Sequence, residues 1–397
     1  MNAYNILIFL SGLVIFSYLF DLFAKRARVP SVLLLLALGI GLRLIADRTG
    51  IRVFDVQQLL PTLGTVGLIL IVFEGAMELT YERSKRSFIR KAFFGAFGML
   101  LLTTAAIAGI LHYATAASWH ACVANAIPLS VISSAVAIPS AAGLEPKMKE
   151  FVTYESSFSD ILGIILFNFA VSNGSFGPAA FGRLSVELLA VVVISVALSM
   201  ALLWLLGRIK HHIKFFLILS ILVLVYALGK QFHLSSLIIV LAFGVFLANV
   251  DQLPFTWFRS RFLYPDFHRD MEQFHSLSRE SAFLIRTFFF VLFGFGLELM
   301  LLNDARTALL CGVLVLVIYS VRGIFLKWPL RMDLRPLVFI SPRGLISILL
   351  FVSLPDTLLI PGIGMGLLFM LVIITCVAMV LGSLGSKGRP VVKPAVQ

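Results

Sequence analysis

The sequence predicts an all-α membrane protein of about 13 transmembrane helices, built as two inverted six-helix repeats with crossed broken helices in spans 5 and 12. Three observations predict it. The composition is too apolar for a water-soluble domain, apolar runs of spanning length alternate with short basic connections, and serine- and proline-bearing interruptions fall at matching places in the two halves. Of the 397 residues, 60% are hydrophobic and 13% charged, against roughly half and a quarter in soluble domains. The net charge of +12 lies in short loops between apolar runs, so membrane topology accounts for it and nucleic acid is not implied. Cys122, Cys311 and Cys376 have neither metal-ligand nor disulfide spacing and read as packing residues. The first run, Tyr4 to Phe20, lacks a basic flank and a small-residue cleavage site, which makes it a true span rather than a signal peptide.

A span takes about 20 apolar residues. On that measure spans are expected at 4–21, 30–46, 61–80, 91–113, 120–143, 152–172, 183–206, 213–229, 234–250, 281–302, 306–325, 335–354 and 358–384. The connections after odd-numbered spans, with the tail, hold 23 of the 32 Lys and Arg residues, and the opposite connections hold six. Arg286, Arg322 and Arg343 fall inside spans. Basic residues stay on the cytoplasmic side. The N-terminus is therefore expected outside and the C-terminus in the cytosol, in a bacterial inner (plasma) membrane. Between spans 9 and 10, Phe267, Met271 and Phe274 share one helical face. This segment, 266–280, suits an amphipathic helix lying in the interface, or an ordinary structured loop.

The two halves share a pattern. Ser31, Ala37, Gly39 and Leu42 recur as Ser236, Ala242, Gly244 and Leu247; Phe73, Glu78 and Leu79 recur as Phe293, Glu298 and Leu299. Pro128, Leu129, Ile132 and Ser133 recur as Pro336, Leu337, Ile340 and Ser341. The copies are seven spans apart, an odd number, so they run in opposite directions through the bilayer. Inverted repeats mark secondary transporters, whose sites lie near the midplane at interrupted helices. The expected division is 1–180 for the first repeat, 181–212 for a linking span 7, 213–385 for the second repeat and 386–397 for a short tail. Span 5 carries Ser133, Ser134 and Pro139, and span 12 carries Ser341-Pro342-Arg343-Gly344. Proline removes a backbone donor, and irregular backbone at this depth is tolerated only where protein or a hydrated cavity surrounds it.

Charged residues inside the membrane are costly and face one another or a cavity. At about 1.5 Å per residue, Asp160 lies roughly 12 Å into span 6 and Glu155 about 5 Å. Arg322 lies at a depth similar to Glu155, and Glu74 and Arg343 lie roughly 10–12 Å in. Depth thus proposes two ion pairs, Glu155 with Arg322 and Glu74 with Arg343, and leaves Asp160 without a basic partner. Such a carboxylate is expected to carry a proton or a bound cation and seldom to be bare. Ser156, one turn before Asp160, and Ser133 or Ser134 at the break can add oxygens, and such a set suits a dehydrated monovalent cation. One proton for one cation is an electroneutral exchange unless Glu155 also titrates. Glu78, Arg286 and Glu298, near span ends, are expected to snorkel. The seven histidines lie in loops or at span ends. No nucleophile–base set or cofactor motif points to an enzyme, and no cofactor is expected.

These residues resemble the cation:proton antiporter superfamily, of the NhaP-like sodium/proton exchanger type, over nearly the whole chain. Val72-Phe73-Glu74-Gly75-Ala76-Met77-Glu78-Leu79 looks like the family's third-span motif. Ser341-Pro342-Arg343-Gly344 looks like its Gly-Pro-Arg-Gly motif, and Val321-Arg322-Gly323 resembles its buried arginine, which pairs with the span-6 glutamate. Two positions depart: the family's Thr-Asp in span 5 is here Ser133-Ser134, and Ser159 replaces the Asn of its Glu-Ser-x-x-Asn-Asp motif. The resemblance implies that Glu155, Ser156 and Asp160 bind the metal cation (sodium or another monovalent ion), with Ser133 contributing. It also implies a homodimer and an elevator-like movement. Ser134 stands with Ser133 as a candidate ion- or proton-binding residue, and Ser159, Glu74, Arg343 and Arg322 are expected to form the supporting polar network. Sodium or lithium exchange leads, potassium/proton antiport stands beside it, and an ion channel or a non-transporting membrane sensor are the readings from other classes.

Overall fold

The structure, a computed structural model, describes residues 3–27, 30–49, 56–174, 177–208, 215–231, 235–252, 267–296 and 304–385. All regular secondary structure among them is helical. The α-helices are α1 (Ala3–Ala27), α2 (Ser31–Thr49), α3 (Val56–Met77), α4 (Arg86–Thr115), α5 (Trp119–Ser130), α6 (Ser134–Ser140) and α7 (Pro146–Ser172). They continue with α8 (Pro178–Arg208), α9 (Phe215–Gln231), α10 (Ser236–Asn249), α11 (Phe267–Phe295), α12 (Ala305–Lys327), α13 (Leu345–Val352) and α14 (Met365–Gly385). Several are long and apolar enough to cross a bilayer, among them α4, α12 and the 25-residue stretch Gly182–Leu206 within α8.

Local chemistry sets the helix ends that matter for the site. Ser118 caps α5 by accepting the amide of Ala121, and α5 stops where Val131 turns extended. Pro146 begins α7 at a position where a missing amide costs nothing. Asp304 caps α12 by accepting the amides of Arg306 and Thr307. Between Arg335 and Gly344 the chain is turns and irregular backbone, so only Leu345–Val352 of expected span 12 is α-helix. Pro336 and Pro342 lack the amide donors a continuous helix would need there.

Packing sorts the helices into two groups. α4–α7 pack with α12, α13 and α14, while α1–α3 pack with α8–α11. The groups meet along a narrow seam, where α7 touches α3 and α10, and α13 touches α3. Within the second group α2 and α11 approach backbone to backbone. A Cβ on Gly39 would run into the carbonyl of Val291, and one on Gly294 would lie 2.5 Å from the oxygen of Leu36.

The segment 266–280 needs a correction. From Phe267 onward it is neither a separate interfacial helix nor a loop but the first half of α11, continuous through Phe295. Its apolar face is real but covers protein. Phe267 and Phe274 are buried, and Phe274 meets Phe73 of α3 edge-on at 5.5 Å. Glu298 and the histidines at 211, 212 and 233 lie outside the described residues.

Candidate ion-binding site at a helix interruption

α5 and α6 are separated by Val131, Ile132 and Ser133, which leave the helical path in the protein interior. A helix that stops inside a protein exposes carbonyls at one end and amides at the other, and both need partners. The amide end, the start of α6, meets Asp160 of α7: its Oδ2 accepts the amide of Ser134 at 3.0 Å. Ser159, the residue before, accepts the amide of Ile132 at 3.0 Å. The amide of Ser133 donates to the carbonyl of Pro342 at 3.0 Å, tying the interruption to the irregular segment before α13. Gly344 makes that crossing possible, since a Cβ there would sit 2.7 Å from Ser133 Oγ.

The carbonyl end, the close of α5, meets Arg343. Its Nε donates to the carbonyl of Leu129 at 2.9 Å and its Nη2 to that of Ser130 at 3.1 Å. Nη1 donates to the carbonyl and hydroxyl of Ser341 at 2.8 and 2.6 Å. A fully buried guanidinium thus covers the negative end of one half-helix while a carboxylate covers the positive end of the other. The expected Glu74–Arg343 pair is therefore not formed. Depth alone proposed it, and depth says nothing about which face of the helix a residue occupies. The arginine that Glu74 meets is Arg286 of α11, Nη2 to Oε2 at 2.9 Å. Arg286 does not snorkel as expected; it turns inward because α11 packs along α3.

Glu155 and Arg322 do meet. Nη1 and Nη2 donate to Oε1 and Oε2 at 2.5 and 2.9 Å, and Nε donates to the carbonyl of Leu337 at 2.8 Å. All three nitrogens of this guanidinium donate to protein, the two terminal ones in the bidentate geometry that favours Arg.

Asp160 is left with spare capacity. Among the described residues no Lys or Arg lies within ion-pair distance of it. Its Oδ1, together with Ser133 Oγ and Ser157 Oγ, is a buried oxygen without a hydrogen-bond partner. Asp160, Ser134 and Ser157 line one small pocket with Gly75, Ile71 and Ile346. Ser156, by contrast, donates its hydroxyl to the carbonyl of Val152 at 2.7 Å, which leaves its oxygen lone pairs. Ser157 was not among the expected site residues. It sits three residues before Asp160 on a helix, a spacing that shares a face as well as four does.

A larger cavity of about 230 Å³ adjoins this pocket, the two sharing Ile71, Gly75 and Ser134. It is lined by Glu74, Glu78, Arg286 and the exposed Arg279, so it joins the surface to the neighbourhood of Asp160. Glu78 thus faces this cavity as well, rather than only snorkelling at a span end.

An uncovered carboxylate at a helix interruption, beside a polar cavity and among apolar helices, is the arrangement expected of a membrane transporter. The chain belongs to the sodium/hydrogen exchanger family, whose transmembrane profile matches residues 11–386. Its fold is that of MjNhaP1, a sodium proton antiporter from Methanocaldococcus jannaschii whose structure was determined at pH 8. The TM-score is 0.73 at 18% identity, with 97% of each chain covered. An electron-microscopy map of the same antiporter gives 0.70 at 18% identity, over 98% of this chain and 100% of the other. No curated protein matches the chain.

Proposed function

We propose that the chain exchanges a monovalent cation, sodium or lithium first, for a proton, with Asp160 holding one or the other. The observation that carries this reading is the pair of buried, unpartnered oxygens on Asp160 and Ser157 that line one pocket, with the unpartnered Ser133 hydroxyl at the adjacent helix interruption. A buried polar atom without a partner is costly, and a bound ion or proton at this place removes the cost. Of the two carboxylates of α7 buried beside the interruption, Asp160 is the one not answered by an arginine. Glu155 is engaged by Arg322 through both oxygens and Glu74 by Arg286. With Asp160 as the one carboxylate that titrates in the cycle, and Glu78 in the adjoining cavity keeping its charge state, the exchange is one proton for one cation, without net charge movement.

Alternating access is the natural cycle. The interruption of α5–α6 and its neighbour before α13 lie in one helix group, and the cavity lies between that group and the other. A rigid displacement of the first group along the narrow seam would carry Asp160 from one side to the other, in the manner of inverted-repeat transporters. On this reading α5–α6 and the 335–354 segment are repeat mates, the cavity is the cytosolic vestibule, and the functional unit is a homodimer.

The test is reconstitution into liposomes with an internal pH-sensitive dye and external sodium, lithium or potassium chloride. Exchange predicts a dye response to at least one cation that is unchanged when potassium and valinomycin clamp the voltage at zero. A voltage-driven current with no proton counterflow would identify a channel instead. The same assay separates sodium from potassium selectivity, which depends on cavity geometry more than on residue type.

A further inference from the structure

Three arginines in the protein interior, Arg322 and Arg343 fully buried and Arg286 half-buried, are held differently. Arg322 is bidentate to Glu155 with its Nε satisfied, and Arg343 gives donors to three carbonyls and a hydroxyl. Both are locked. Arg286 makes one ion-pair contact, Nη2 to Glu74 at 2.9 Å, and one long contact, Nη1 to the carbonyl of Ala135 at 3.4 Å. Its Nε is buried without a partner. The guanidinium lines the cavity that adjoins the Asp160 pocket. Ala135 is the second residue of α6, the helix whose start Asp160 caps, and it belongs to the opposite helix group from Arg286.

We propose that Arg286 is a specificity-determining residue of the exchange: a resident cation, tethered in the lining of the cavity, that sets the cost for the transported cation to reach Asp160. Resting on the exchange reading above, the inference has a simple electrostatic basis. A positive charge in a low-dielectric cavity opposes a second one over distances of many ångströms, and Glu74 screens it. The loose hold on Arg286 lets its head shift between Glu74 and the carbonyl of Ala135. Its contact across the seam makes that hold depend on the relative position of the two helix groups. The cavity is thereby neutral when Glu74 and Arg286 are paired and acidic when the arginine is removed.

The test is antiport in proteoliposomes at one fixed alkaline pH, with the apparent KM and kcat for the transported cation measured separately. Arg286→Gln should lower KM by about threefold to tenfold. Glu74→Gln, which leaves the arginine unscreened, should raise it by a similar factor, and Arg286→Lys should stay near the native value. The double variant Glu74→Gln/Arg286→Gln should return close to native. That last result separates the proposal from Glu74 acting as a direct cation ligand, for which the double variant would keep the raised KM. A purely structural Arg286 would lower kcat and thermal stability without lowering KM, and that outcome overturns the proposal. If Arg286→Gln does not yield folded protein, a native KM for Glu74→Gln overturns it alone. Failure of the native protein to exchange any cation would instead remove the exchange reading itself.

Discussion

Asp160 Oδ2 accepts the amide of Ser134 at 3.0 Å, and this places a negative charge on the first turn of a seven-residue half-helix. The bond uses one carboxylate oxygen and leaves the other, Oδ1, free of any partner. A carboxylate so arranged is anchored and still open to a proton or cation. Asp160→Asn keeps the side chain's size and a carbonyl oxygen for the Ser134 amide but removes the charge. It should fold with near-native thermal stability and lose cation/proton exchange to the level of empty liposomes. Unchanged transport by this variant would show that the site lies elsewhere.

Ser157 should matter more to cation affinity than its neighbour. Its hydroxyl is unpartnered and lines the Asp160 pocket, whereas that of Ser156 is bonded to the carbonyl of Val152. Ser157→Ala should raise the cation KM several-fold, with a smaller rise for Ser156→Ala. Steady-state antiport at saturating and limiting cation measures both, and the reverse order would count against the oxygen set described here.

The Glu155–Arg322 pair is 1–2% exposed on both sides. Removing one partner strands the other charge, which costs about 3 kcal/mol or more for a buried pair. Glu155→Ala and Arg322→Ala should each lower the melting temperature in detergent strongly. The exchanged pair Glu155→Arg with Arg322→Glu should recover part of that loss and not all, because the Leu337 carbonyl would lose its donor. No recovery would mean that neighbouring groups, not the pair, set the stability.

Gly39 and Gly294 give a prediction unconnected with charge. Alanine at either would push a methyl group into the facing helix backbone, which cannot yield as a side-chain tip can. Each single variant should reduce folded yield by separating α2 from α11. Gly41→Ala on the same helix should be neutral, since a Cβ there meets nothing within 4 Å.

Much of this was legible in the sequence, for identifiable reasons. The spans were readable because apolar runs of bilayer length admit few other structures. Asp160 drew attention because a carboxylate in such a run stands out, and Glu155 and Arg322 met as expected because similar depth and opposite charge left each few other partners. Depth failed for Arg343 and Glu74. Arg343 is satisfied by the carbonyls of Leu129, Ser130 and Ser341, and no sequence pattern announces that a half-helix end will stand in for a carboxylate. Arg286 was misread for a related reason. Its position near a span end favoured snorkelling, but α11 begins at Phe267, far before the apolar run, and this places Arg286 well inside the helix. The segment 266–280 misled for the same reason, since an amphipathic face looks alike whether it covers lipid or Phe73.

The most direct measurement is the number of protons released when purified protein binds its cation. Calorimetric titration at a series of pH values, each in two buffers of different ionisation enthalpy, yields that number without any membrane. If Asp160 holds either a proton or a cation, the native protein releases about half a proton per cation where Asp160 is half protonated, approaching one at lower pH and none at higher pH, and Asp160→Asn releases none at any pH. Proton release by Asp160→Asn equal to that of the native protein would contradict the account.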